Sequence, residues 1–468
     1  MLKKLNKYYF LFILFFFSLL LITNNKLLIL DFLILGCVLF FIFKFSFKNT
    51  LSITLFSSLA FDNTIRQWLF QNIRINADII TQTSPYYFGI TIKLLLCMFL
   101  SLLFIFTPKK NKPKYHQLNK TDFLIIIFFV FSTISCFLHL PNSHTLVGFI
   151  RIWQLIALYF ITKISLQQEK IKTIIPIIIY SLLIFSVSIG IIQLLNQHPL
   201  GRYIELTPSF TQDIFYTTTD GATQYRASGF VSHPVYFGTL LCMLLPISIA
   251  YYLNSLSQKN KLKKYLTLSI IIVSLVTTLG TLSRSTWINL FIIFLLFYPK
   301  LIKNKIKPSK LFLIGSLLLI TMSPLLLTRI DSIKTLFSTP GSNGSYRLKT
   351  IYQSLLATKN HPLFGIGINQ FPSYVLNNFY EPFGSPAPVH NTFFLFLSEL
   401  GIPAGITFIL FCIHIIKSKY HQVKKNPIAF SILIGVITFI ISAQFHPLFI
   451  MDPSLDLFIF FTAYLSTC

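Results

Sequence analysis

The sequence predicts an all-α polytopic membrane protein of about 12–14 transmembrane helices, with a large outer loop carrying an amphipathic interfacial helix. Three observations predict it. The chain of 468 residues is 54% hydrophobic and 11% charged, where a soluble domain carries about a quarter charged residues. Apolar runs long enough to cross a bilayer core of about 30 Å recur from end to end. Lysines gather in every second connection between those runs, as the positive-inside rule requires.

The runs fall at roughly 8–23, 27–43, 50–61, 87–107, 121–139, 146–162, 173–195, 234–254, 265–281, 284–299, 311–328, 391–416, 427–447 and 454–466. Those at 50–61 and 454–466 are short and read as tilted or re-entrant. The basic start (Lys3, Lys4, Lys7) before the first run resembles a leader. No small-residue cleavage site follows and a second run comes at once, so it is read as a retained helix. With both ends inside, the inner connections hold Lys44 and Lys48, Lys109 to Lys120, Lys163 to Lys172, Lys259 to Lys264, Lys300 to Lys310, and Lys417 to Lys425. The alternation never breaks. A net charge of +26 is therefore explained by retention loops and anionic lipid, and no nucleic-acid-binding module is present.

The eight arginines behave differently. Arg66, Arg74, Arg151, Arg202, Arg226, Arg284, Arg329 and Arg347 all fall at outer helix ends or in outer loops. Retention needs only positive charge, whereas the guanidinium fork grips phosphate or carboxylate in two places. An arginine-only outer face predicts an anionic ligand there. Single arginines are also explained as headgroup anchors.

Cys37, Cys97, Cys136, Cys242, Cys412 and Cys468 show neither metal-ligand spacing nor a disulfide framework. No acidic cluster suited to Mg²⁺ is visible on the outer face, and neither metal nor cofactor is expected.

Two outer loops, about 196–233 and 329–390, are long enough to hold a site. In the second, Ser345 to Thr358 has helical periodicity. Leu348, Ile351, Tyr352, Leu355 and Leu356 form one stripe, and Arg347, Thr350, Ser354 and Thr358 the other side. That predicts a helix lying at the outer interface with Arg347 at headgroup height. The following His361-Pro-Leu-Phe-Gly-Ile-Gly367 stretch reads as a turn returning the chain to the membrane. After Pro388, His390 sits at the start of an apolar helix, where the positive end of the helix dipole disfavours imidazolium. A neutral ring there can take a proton from a hydroxyl. Glu399, nine residues on, lies half a turn out of phase with His390 and must be paired or neutral at membrane depth. Arg226, Arg284 and Arg151 head other helices from the same side, and arginines at helix N-termini make an anion site.

In that order, these residues resemble the O-antigen ligase and O-antigen polymerase superfamily of bacterial membrane glycosyltransferases. The likeness covers the C-terminal two-thirds. It runs from Tyr225-Arg-Ala-Ser-Gly229 through Ser283-Arg284-Ser285 and the Arg347 helix with Pro362-Leu-Phe-Gly-Ile-Gly367. It ends on the helix from His390-Asn391 to Glu399-Leu-Gly401. One departure is His233-Pro234, where many relatives carry Asn-Pro, and it leaves open which histidine is the base.

The resemblance implies residues 1–195 as N-terminal transmembrane helices and 196–468 as the catalytic membrane region. It implies a bacterial inner-membrane enzyme with its site on the periplasmic face. The donor would be a glycan on undecaprenyl diphosphate, and the acceptor a hydroxyl of lipid A–core or of a growing glycan, without metal or nucleotide. Arg226 and Arg284 would hold the diphosphate, with Arg347 and Arg151 assisting, and His390 would be the base. O-antigen ligation is the first expectation and polymerisation the second. A multi-pass transporter is the alternative from another class. Its usual mid-membrane acids are nearly missing here, Asp31, Glu399 and Asp456 being the exceptions.

Overall fold

A computed structural model describes residues 2–21, 25–59, 92–106, 118–140, 142–201, 214–217, 223–231, 233–257, 261–304, 309, 316, 323, 343–379, 388–448 and 453–468. The described helices are α1 (Leu2–Ser18), α2 (Asn25–Cys37), α3 (Phe47–Ser58), α4 (Ile92–Ile105), α5 (Lys120–Leu138), α6 (Ser143–Ser165), α7 (Glu169–Asn196) and α8 (Pro234–Ser257). They continue as α9 (Lys261–Leu279), α10 (Arg284–Lys303), α11 (Asn343–Asn360), α12 (Phe371–Asn378), α13 (Thr392–Leu400), α14 (Ile402–Val423), α15 (Pro427–Ala443) and α16 (Pro453–Ser466). A short antiparallel hairpin, β1 (Phe215–Thr217) with β2 (Thr223–Tyr225), lies in the first long outer loop. The chain is an all-α polytopic membrane protein, with that hairpin as an outer ornament. Arg66, Arg74, Arg202, Arg329 and the run at 311–328, apart from residues 316 and 323, lie outside the described residues.

Six described helices are long and apolar enough to cross a membrane: α5, α7, Pro234–Leu256 of α8, α9, α10 and α14. Shorter apolar stretches at Lys7–Ser18, Asp31–Ile42, Lys93–Leu103, Pro427–Ala443 and Pro453–Ser466 match further runs in the sequence. The run at 391–416 differs from expectation. It is two helices, a nine-residue α13 and then α14, broken at Gly401. Beyond the break α13 lies beside the first turns of α14, with Phe393 and Phe396 against Phe408.

Burial separates lipid-facing from protein-facing surfaces. On α5, Phe123, Ile127, Val130, Ile134 and Phe137 are exposed at helical spacing, an apolar stripe suited to lipid. The opposite face packs inward, with Phe128 against Phe396 and Phe408. Stacked rings fill the centre, Phe439 on Phe458 at 4.4 Å and Phe396 edge-on to Phe408 at 4.8 Å.

The lysine end of the bundle closes on itself. Lys163 pairs with the buried Asp122 at 2.6 Å, and Tyr159 donates to the same carboxylate. Asn119 reaches the Ser466 carbonyl, Asn49 bonds Gln168, and Lys300 donates to the Lys424 carbonyl. Segments that the charge pattern assigns to one side thus meet at one side.

Candidate active site

The opposite end holds the described arginines, and the backbone shows how they are brought together. Arg226 follows β2. Its N–H donates to the Ile214 carbonyl, its Nε to the Thr281 carbonyl at 3.0 Å, and the next N–H to Gly280. The Arg226 segment therefore lies along the turn that leads into α10, whose first residue is Arg284. Gln193 of α7 fixes this segment from below, donating to the Gly229 carbonyl while accepting from the Ser228 and Gly229 amides. Gly229 has φ +58°, and a Cβ there would meet the Phe237 ring at 2.2 Å. That is why the Arg-x-x-Gly stretch needs its glycine.

Helix α11 brings Arg347. It is amphipathic as expected, with an arrangement opposite to that of a soluble helix. Thr350, Gln353, Ser354, Ala357 and Thr358 are buried, while Leu348, Tyr352 and Leu355 are exposed. The polar and small face packs on protein, with Ser354 donating to the Phe394 carbonyl of α13. The apolar face is left for the membrane interface. Arg347 lies close enough to Arg284 that burial, and then the Arg284 charge, lower its pKa from the ordinary value.

The turn after α11 locks it to α13. Ile366 and Gly367 donate to the Ser398 and Glu399 carbonyls, and Ile402 donates back to Pro362. Gly365 sits at φ +67°, where a Cβ would meet the Glu399 backbone at 2.4 Å. The Gly-x-Gly stretch is thus a clamp between two outer elements. Glu399 is fully buried under it, with Oε1 accepting from the Phe371 amide. Burial raises its pKa to about 8, so the carboxyl is neutral, one of the two states expected for it.

His390 stands one residue before the N-cap of α13. The cap is Asn391, whose Oδ1 accepts from the Phe393 and Phe394 amides and whose amide donates to Gln444. Tyr346 of α11 meets the His390 ring edge-on at 6.2 Å. His233 accepts from the Val235 amide at Nδ1. Its neutral ring then carries its proton on Nε2 and acts as a donor.

A residue the sequence reading passed over lies at the centre. His446, just beyond α15, is buried, and its Nε2 is 3.1 Å from Ser285 Oγ. Its pKa is lowered well below the usual imidazole value, first by burial and then by its basic neighbours, Arg347, His390, His233 and Arg226. Arg347 and Arg226 are near enough to act on this ring, and Arg284 adjoins its hydrogen-bond partner Ser285. The sequence does hold a signal for it, a His-Pro pair at an outer helix end, the same pattern as His233-Pro234.

Arg151 is placed differently. It lies inside α6 and pairs at 2.9 Å with Asp456 of α16, which also binds Lys93 of α4 at 2.6 Å. Its described ion pair is thus made with α16, inside the helix bundle.

None of the curated proteins matches the chain. A family model described as O-antigen ligase matches residues 269–409. The matched stretch includes Arg284, Arg347, His390 and Glu399, while Arg226 and His446 lie outside it. It indicates a glycosyltransferase-type activity of the ligase and polymerase kind, with lipid-linked glycan and glycan acceptor as partner classes. The matched stretch is under a third of the 468 residues, and over it the chain is similar to the O-antigen ligase family.

Proposed function

We propose that this protein transfers a glycan from undecaprenyl diphosphate to an acceptor hydroxyl on the periplasmic face, as the O-antigen ligase that modifies lipid A–core. The observation that carries the reading is that Arg226, Arg347 and His390 lie near His446, whose ring bonds Ser285 beside Arg284. Like charges held together in a partly buried site repel. A diphosphate placed among them removes that repulsion and gains forked hydrogen bonds.

The chemistry follows from charge and geometry. The acceptor oxygen attacks the anomeric carbon and forms the new glycosidic bond. The bond from that carbon to the diphosphate oxygen breaks, and its electron pair leaves on undecaprenyl diphosphate. Arg226, Arg284 and Arg347 take up the charge as it develops, where preorganised cations lower the barrier most. The acceptor proton goes to His390. His390 is favoured over His233 because the acceptor nitrogen of His233 is engaged by the Val235 amide. Direct attack inverts the anomeric centre. Arg151, committed to Asp456, is assigned a supporting place near the rim. The site faces the periplasm, with the lysine end and both termini in the cytoplasm.

The test is transfer by purified protein, lipid-linked glycan and acceptor in detergent. Arg284→Ala and His390→Ala are each expected to lower kcat by about 100-fold or more. Wild-type rates in both variants overturn the mechanism. Arg284→Lys keeps the charge and loses the fork, and is expected to recover only part of the rate. A deletion strain separates ligation from polymerisation. Free lipid-linked polymer marks a lost ligase, and core capped by a single repeat marks a lost polymerase.

A further inference from the structure

His446 lies outside the matched family region and carries no role in the transfer chemistry described above. Its surroundings are unusual in three respects. First, the residue ties two helix starts at once. Its ring meets Ser285 in the first turn of α10, next to Arg284, and its carbonyl accepts from Thr392 in the first turn of α13, two residues after His390. Second, the tie continues inward as a ladder in register. One turn down α10, Asn289 donates to Ser442, one turn back along α15, and Thr239 of α8 donates to the same hydroxyl. Polar pairs in this position hold membrane helices in fixed register.

Third, the start of α10 gives up ordinary stabilisation to make the contact. Ser283 is its N-cap, yet its side chain makes no cap hydrogen bond. Such a bond is typically worth about 1 kcal/mol. The Ser283 hydroxyl instead meets Ser285 Oγ at 3.0 Å, which meets His446. Leu282, just before, holds φ +50°, a conformation that non-glycine residues seldom adopt. A local cost of this kind in a helix start that bears a functional arginine marks a geometry set by something other than helix stability.

We propose that His446, through Ser285, is a positioning residue that fixes the Arg284 guanidinium relative to His390 for departure of the diphosphate. The inference rests on the transfer reading above. The ring sits below the cations and acts through the Ser285 hydroxyl. A neutral ring there makes the contact without adding a further positive charge to the cluster.

The experiment measures kcat and KM for the lipid-linked donor with full-length protein in nanodiscs. The variants are His446→Leu, Ser285→Ala, the double variant and His446→Gln, with farnesyl diphosphate binding as a second readout. The His446 carbonyl bond to Thr392 survives every side-chain change, so the loop keeps its anchor. His446→Leu and Ser285→Ala are each expected to lower kcat by about 100-fold, the scale of a small misplacement. Donor KM is expected to stay within about threefold. The double variant is expected to be no slower than either single variant, because both break one contact. His446→Gln, which can donate or accept at the position of Nε2, is expected to restore most of the rate.

Multiplying defects, no rescue by Gln, or an unchanged kcat in either single variant overturns the inference and leaves the transfer reading standing. Neither transfer nor farnesyl diphosphate binding by the unmodified protein overturns both. If His446→Leu fails to fold, Ser285→Ala and His446→Gln decide the question.

Discussion

Glu399 illustrates how a single acid at the edge of a membrane is made safe. It is fully buried, accepts backbone hydrogen bonds from Asn369 and Phe371, and has a pKa raised by burial from 4.5 to about 8. The folded protein therefore prefers the protonated form. The stability this contributes is full below about pH 4.5 and is lost as the pH rises toward 8. Glu399→Gln is expected to flatten the fall in melting temperature across that window and to melt higher than the wild type at pH 8.5. A pH series of thermal melts in detergent checks this, and parallel curves would show that the carboxyl is already ionised. At this scale the sequence was informative about type and poor about partner. It marked Arg226, Arg284, Arg347 and His390 by residue type and by side of the membrane. Their convergence depends on Thr281, Gly229 and Gln193, whose hydrogen bonds reach across 35 to 55 residues of chain. His446 was missed because its one signal, a His-Pro pair, recurs at His198, His233 and His361 and so does not single it out.

Helix α11 and the turn behind it show the same division among elements. Periodicity predicted the helix, and its apolar stripe, read as membrane-facing, is the exposed one. The Gly-x-Gly stretch read as a return turn, since spacing alone cannot show what backbone a glycine lies against. In the structure it joins α11, which carries Arg347, to the end of α13, the helix that follows His390. Gly365→Ala is therefore expected to act on function as well as stability. The left-handed backbone alone costs roughly 1–2 kcal/mol for a residue with a Cβ, and the Glu399 backbone must also move. The expected result is a melting point several degrees lower and a transfer rate reduced by at least about tenfold. Retention of both would show that the turn is a passive connection. The break at Gly401 was invisible because residues 391–416 are apolar throughout, and continuous hydrophobicity does not distinguish one helix from two.

Across the whole molecule, the charge pattern of the connections was the most legible feature, since Asn49, Asn119, Lys163 and Lys300, from four lysine-bearing connections, each meet another segment assigned to the same side. The exception that sequence could not resolve is Arg151. It shares the outer-side placement of the other arginines, but Asp456 and Lys93 lie on helices more than 300 residues apart in the chain and meet it only after folding. Asp456 is fully buried between two cations. Asp456→Asn leaves both uncompensated, with an expected cost of about 3–5 kcal/mol. The matched changes Lys93→Met and Asp456→Asn together should recover much of it. Melting of the single and double variants in nanodiscs measures the difference, and equal losses would mean the triad is not a stabilising unit.

The exposed stripe of α11 sets more than the helix's own position. On the proposed reading, the exposed Leu348, Tyr352 and Leu355 seat in the leaflet surface and hold Arg347 level with the phosphates of the surrounding lipids. A lipid-borne substrate that drifts sideways in the leaflet is already at that height when it arrives, so its search runs over an area instead of a volume. A water-soluble sugar diphosphate has no such guidance and meets the same arginines only by chance collision from above. Discrimination between the two begins with dimensionality, before any sugar is recognised.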